Sequence, residues 1–332
     1  MYTNMSETQS SPNSTIIVCT RNRPALLRRC LEQLQRLDYQ AFEVLVVDNN
    51  LAPTEACGIA AGFEARYILC PMIGLSHARN AGIAASYTDF VVFLDDDAIP
   101  EPDWLRELLT EFSRQEVAAV TGQIVLKGDG DEAPLYSQSR ICIDKSTPSW
   151  FEIANFGGIG GGSNMAFRRS VFQTWSGFDE RLGRGRLMNA GEDHCAFFTL
   201  VHHRYSIVYA PSARVRHPQR TGGRHLFKSL HRVAIVSAYI TLLAVEYPTY
   251  IPQICRFVLD SVCRRPRTWG RRSPEVFDGC APIWLIFLTF LVGPFLYFCA
   301  RVTNAFKTKH AEDVSVGQTR SGRPFEILKS DE

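Results

Sequence analysis

The stretch DFVVFLDDD, residues 89–97, decides how the chain is read. Residues 90–94 are an apolar run rich in Val and Phe, too short for a helix and suited to a buried strand. The run stops abruptly at Asp95, Asp96 and Asp97. In an open α/β sheet, ligands bind outside the carboxyl ends of the strands, where these three acids fall. Adjacent carboxylates repel one another, so a positive partner is expected among them. A hard divalent cation carrying substrate phosphate oxygens fits, since Mg²⁺ takes one or two carboxylates and completes its shell with phosphate. A solvated acidic loop capping a helix that begins near Pro102 accounts for the spacing equally well.

Working outward, residues 15–19 form a β-branched strand, followed by Pro24 at a helix start and Leu27, Leu31 and Leu34 at helical spacing. Residues 42–47 read as a second strand ending in Asp48, and residues 66–69 as a weaker third. A small-residue helix begins near Ser76. Alternating strands and helices at this spacing predict a doubly wound parallel sheet. Two strands then end in acid, at Asp48 and Asp95, which points to one shared site. An acid after the second strand suits a ribose hydroxyl. No G-x-G-x-x-G follows the first strand, where TRNRP stands instead (20–24). The glycine cluster GGIGGGSN (157–164) is expected to be a loop, either flexible or shaped for close backbone approach to a ligand.

Further along, residues 127–150 read as loop, residues 163–183 as a short strand and helix, and Glu192 and Asp193 open another helix, where acid suits the helix dipole. A strand over 206–210 leads to His217, a lone histidine before proline in a basic, glycine-bearing loop. Arg220 and Arg224 in that loop are suited to clamp phosphate.

Composition limits the classes. The chain has 332 residues, 45% hydrophobic and 21% charged, with net charge +2, so no nucleic-acid partner is expected. Ten cysteines show no C-x-x-C pair, which predicts reduced thiols and a cytoplasmic catalytic part. Residues 1–13 are polar and lack the pattern of a secretory signal, so they are expected to be a disordered tail.

Taken together, VCTRNRP, VVDNN, GLSHARNAGI, FLDDDAIPEPDWL, GGGSNMAFRR, GFDERLG, GEDHCAF and VRH, in that order, resemble the family 2 glycosyltransferases of the GT-A fold. The resemblance covers roughly residues 14–225. It implies an α/β fold with a mostly parallel, doubly wound sheet flanked by helices, and an inverting transfer of sugar from a nucleotide-diphosphate sugar to an acceptor hydroxyl. Thr20, Arg23 and Asp48 match the positions that hold the nucleotide, and Arg79 and Asn80 the pair that approaches it or its diphosphate. The Asp-x-Asp motif maps onto Asp95 and Asp97, with Asp96 leaving the register ambiguous. Asp97 would ligate Mg²⁺ or Mn²⁺, Asp95 would face ribose or a metal-bound water, and His217 matches a further ligand used by some members. Arg220 or Arg224 would add charge stabilisation to the leaving diphosphate. In the Glu192–Asp193 pair, Asp193 would act as base. The acceptor would be a glycan, a lipid-linked group or a small molecule. A non-catalytic sugar- or nucleotide-binding scaffold on the same fold is the alternative.

Residues 226–332 are expected to form a helical, membrane-associated extension. Residues 281–300 carry no charge and are long enough to span a bilayer. Basic residues flank both sides: Arg264, Arg265, Arg267, Arg271 and Arg272 before, and Arg301, Lys307 and Lys309 after. The expectation is a single span or a re-entrant hairpin bent at Gly293-Pro294 (the segment near 281–302), with the catalytic part at the cytoplasmic face of the membrane.

Overall fold

The computed structural model describes residues 13–127, 132–218, 226–262 and 283–318. The first half alternates as expected: β1 (Ser14–Thr20), α1 (Pro24–Leu34), β2 (Phe42–Asp48), α2 (Glu55–Gly62), β3 (Arg66–Leu69), α3 (Leu75–Ala85) and β4 (Phe90–Asp95). A two-residue β5 (Ile99–Pro100) and α4 (Trp104–Thr110) follow. Next come β6 (Val117–Lys127), β7 (Glu132–Pro134), β8 (Ile141–Ile143), α5 (Trp150–Phe156), β9 (Asn164–Arg168), α6 (Glu192–His202) and β10 (Ser206–Pro218). The segment 127–150, expected as loop, contributes the two short strands β7 and β8. The helix expected after β9 is only a 3₁₀ turn, Arg169–Gln173.

The ten strands among the described residues join one sheet, ordered β3-β2-β1-β4-β9-β6-β10-β5, with β7 on β6 and β8 on β10. β1 pairs in parallel with β2 and β4, and β2 with β3. β9 runs antiparallel between β4 and β6, so the sheet is mostly rather than wholly parallel. Register aligns Thr20 with Asp48 and Cys19 with Asp95, which brings the two acid-ending strands to one edge. β10 lies parallel to β6 and pairs antiparallel with β5, Arg216 opposite Ile99. That short pairing carries His217 back to the acidic turn.

Alternation along β1 shows why the sheet is covered on both faces. Ile16 and Val18 pack with α1, α2 and α4, whereas Ile17 packs with residues of α3, α5 and α6. The second core continues into α7 (Leu226–Glu246), α8 (Ile251–Val262) and α9 (Ile283–Gln318) through Ala238, Leu242, Phe257 and Tyr297. Two of these helices are long and apolar enough to cross a membrane by length and composition. In α7 the window Ser229–Glu246 is 56% buried, whereas in α9 the window Phe287–Asn304 is only 17% buried. α7 is therefore largely a core helix, while α9 presents Phe287, Leu291, Phe295, Phe298 and Val302 outward along one face. Residues 1–12 of the expected tail 1–13 and the arginine cluster 264–272 lie outside the described residues.

Candidate active site

The three acids at the end of β4 divide by direction. Asp96 turns back toward the fold: its carboxylate accepts from Thr20 Oγ1 at 2.8 Å and from Arg23 Nη1 at 2.8 Å. Burial raises the Asp96 pKa, opposed by these two donors. Thr20 and Arg23 thus shape the floor of the cleft through Asp96. Arg23 also reaches Asp97 Oδ2 at 3.2 Å.

Asp95 and Asp97 turn the other way, onto His217. Candidate ligand atoms of these three residues all lie within 4.8 Å of one another. This separates the two outer acids from the middle one, which the sequence left ambiguous. His217 Nε2 stands 2.9 Å from Asp97 Oδ1 and 3.8 Å from Asp95 Oδ2. Burial would lower the His217 pKa, but the two carboxylates push it up to about 10. Burial alone would raise Asp97. His217, Arg23 and Arg184 instead hold it down at about 2. Asp95 is likewise lowered, against burial, by His217 and Arg79.

A divalent cation fits this donor set. Asp97 Oδ1 is buried yet takes part in no hydrogen bond of good geometry among the described residues. Two carboxylates and an imidazole suit a divalent ion. The other ring nitrogen, Nδ1, lies 3.2 Å from the Pro218 carbonyl, the outer-sphere partner expected of a ligating histidine.

The remaining expected residues distribute differently. Asp48 is fully buried and saturated, accepting from Asn50 Nδ2, the Thr54 amide and hydroxyl, and Tyr67 OH. It organises the loop after β2, and the cleft is lined by its neighbour Asn49. Arg79 runs beneath the site. It donates to Glu192 Oε1 at 3.0 Å and to the Gly162 carbonyl at 2.9 Å, and stands 3.7 Å from Asp95 Oδ1. Asn80 clamps the Phe178 backbone through both its amide atoms. Arg79 and Asn80 therefore assemble the site rather than line the cleft. Arg220 and Arg224 lie outside the described residues.

Asp193 sits in the first turn of α6. Oδ2 accepts from the Gly162 amide at 2.8 Å and Oδ1 from the His194 amide at 2.9 Å. The glycine cluster does permit close approach: a Cβ on Gly162 would lie 2.8 Å from Arg79 Nη2 and 3.2 Å from Asp193 Oδ2. Burial would raise the Asp193 pKa, but His194, Arg79 and the two amides lower it. Glu192 is raised instead, by burial and by Asp193's charge, despite Arg79. The adjacent acids are thereby pushed apart, and Asp193 is the one kept ionised. Arg21 and Arg184 line the cleft beside Thr20 and Asp95, and sequence reading singled out neither.

The sequence matches the glycosyl transferase family 2 profile over residues 15–175. It is 30% identical over 248 residues to a pre-mycofactocin glycosyltransferase of Mycobacterium tuberculosis, covering 70% of this chain but 48% of that protein. The chain thus spans about half the length of that relative. It is 32% identical over 222 residues to the succinoglycan biosynthesis protein ExoM of Rhizobium meliloti, covering 62% of this chain and 68% of that one. Among solved structures, S. aureus TarS superposes with a TM-score of 0.57 at 14% identity, over 82% of this chain and 46% of that one. At that identity the likeness concerns the fold alone.

Proposed function

The chain belongs to glycosyl transferase family 2, and from that premise we propose that it moves a sugar from a nucleotide-diphosphate sugar to an acceptor hydroxyl, with inversion and with Mg²⁺ or Mn²⁺ bound. The observation that carries this reading is the convergence of Asp95, Asp97 and His217 beside a cleft at the strand ends, with Asp193 held ionised nearby. Thr20 and Arg23 fix Asp96 and so the shape of the nucleotide end of the cleft. Asp95, Asp97 and His217 would hold the cation, which when bound neutralises charge on the leaving diphosphate. Asp193 takes the acceptor's proton as the acceptor oxygen bonds to the anomeric carbon and the bond to the diphosphate breaks. Displacement from the opposite face inverts that carbon. Arg79 holds the base's neighbour Glu192, the Gly162 carbonyl and Asp95 in one arrangement.

The outward apolar face of α9 supports membrane attachment. The proposal sets the catalytic part on the cytoplasmic side, with a glycan, lipid-linked or small-molecule acceptor. A non-catalytic scaffold would have no use for an ionised Asp193 beside a complete cation site. A panel of nucleotide sugars, assayed for nucleoside diphosphate release with Mn²⁺ and with EDTA, tests the proposal. Release from at least one donor that stops in EDTA supports it. No turnover of any donor, with a suitable acceptor extract present, contradicts it.

A further inference from the structure

We infer that Arg184 grips the diphosphate of the donor, an inference that rests on the donor reading of the cleft proposed above. Arg184 lines the cleft together with Thr20, Arg21 and Asp95, and it is exposed. None of the ion pairs among the described residues uses its guanidinium. It shares the cleft wall with Asp95, one of the three residues of the candidate cation site. A dianionic group held at that site would meet a guanidinium whose planar fork matches phosphate oxygens.

The backbone explains why this arginine is presented rather than left to wander. Arg184 and Gly185 are the central residues of a tight turn closed by the Arg186 amide on the Gly183 carbonyl at 3.1 Å. Gly185 has φ +86°, the left-handed conformation such a turn requires at its third position. The Arg184 carbonyl itself accepts from the Leu75 amide at 2.9 Å, and the Leu182 carbonyl accepts from Ser76 Oγ at 2.8 Å. The turn is thus stitched to the start of α3. On its far side, Arg186 Nη2 donates to Asn304 Oδ1 at 3.1 Å, and Arg181 pairs with both Asp179 and Glu246. Backbone and neighbours are fixed, and the Arg184 side chain remains available to a ligand.

The competing role is to neutralise the acids of the cation site without touching the donor. Calorimetry on the full chain, using inorganic pyrophosphate with Mn²⁺ and then Mn²⁺ alone, separates the two. Arg184→Ala is expected to weaken pyrophosphate about 10- to 100-fold. Arg184→Lys should recover part of that loss, and Mn²⁺ alone should bind Arg184→Ala as well as wild type or more tightly. Pyrophosphate affinity equal to wild type in Arg184→Ala overturns the inference while leaving the donor reading standing. Equal weakening of Mn²⁺ and pyrophosphate overturns it too, by showing that Arg184 keeps the acid cluster in shape rather than meeting the diphosphate. Failure of the wild-type protein to bind pyrophosphate with Mn²⁺ overturns the inference and the donor reading together.

Discussion

Arg79 Nη1 donates to Glu192 Oε1 at 3.0 Å across 113 residues of sequence, and both side chains are buried. The pair joins α3 to the start of α6 and so fixes where Asp193 stands. Removing Glu192 takes away the nearest counter-charge of buried Arg79 and leaves it Asp95 at 3.7 Å. Glu192→Ala should therefore destabilise the protein by about 3–5 kcal/mol, and Glu192→Gln by clearly less, because the amide oxygen still accepts. Denaturant unfolding of both variants checks this. Equal losses would contradict the pairing.

The cation site gives a second expectation. Asp97→Asn removes a ligand charge next to His217 and should weaken Mn²⁺ more than about tenfold, with donor binding falling in step. Asp48→Ala should behave otherwise. Its carboxylate is spent on Thr54, Asn50 and Tyr67, so the variant should disturb the loop that carries Asn49 and leave Mn²⁺ affinity intact. Calorimetric titration of both variants distinguishes the two roles.

Acid should act on the turn that α3 clamps through His77 and Asn80. Glu180 lies 3.1 Å from His77 Nδ1 and also accepts from Asn80. The bond to His77 holds its carboxyl below the ordinary glutamate value, against burial, which raises it. A depressed folded pKa contributes stability that is complete above the unfolded value and is lost as pH falls through the folded one. Glu180→Gln should therefore melt lower than wild type at pH 7, and the gap should close below roughly pH 4. A gap that stays constant through that range would dissociate Glu180 from the effect.

Attachment to membranes should depend on the outward face of α9. Leu291 and Phe295 are 71% and 68% exposed, one helical turn apart. The wild-type chain should sediment with membranes and resist a high-salt wash. Leu291→Glu with Phe295→Glu should convert this to salt-sensitive or soluble behaviour while leaving the melting temperature nearly unchanged. Salt-resistant sedimentation of the double variant would move the anchor elsewhere.

Much of this was legible in the sequence because strand ends are. An apolar run that stops at Asp95, and another at Asp48, fixes both the sheet and the edge that carries the site. The partition of Asp95 and Asp97 from Asp96 was not legible, since it depends on which acid meets Thr20 and Arg23 from the loop after β1. Arg79 and Asn80 were found by pattern, but their burial beneath the cleft follows from the packing of α3 against the turns at 162 and 178, contacts long in sequence. Arg184 lacked any signal beyond its flanking glycines, because its place depends on backbone bonds to α3. The antiparallel β9 was hidden too: strand direction is set by the connection around it, and residues 157–163 carry no periodicity.

The central claim is that Asp193 takes the acceptor's proton. Its most direct test is kcat and donor affinity measured on the same preparation of Asp193→Asn. The account predicts donor binding close to wild type with kcat reduced about 10²- to 10⁴-fold. Near-normal kcat accompanied only by a lower melting temperature would show that Asp193 merely caps α6, and would contradict the account.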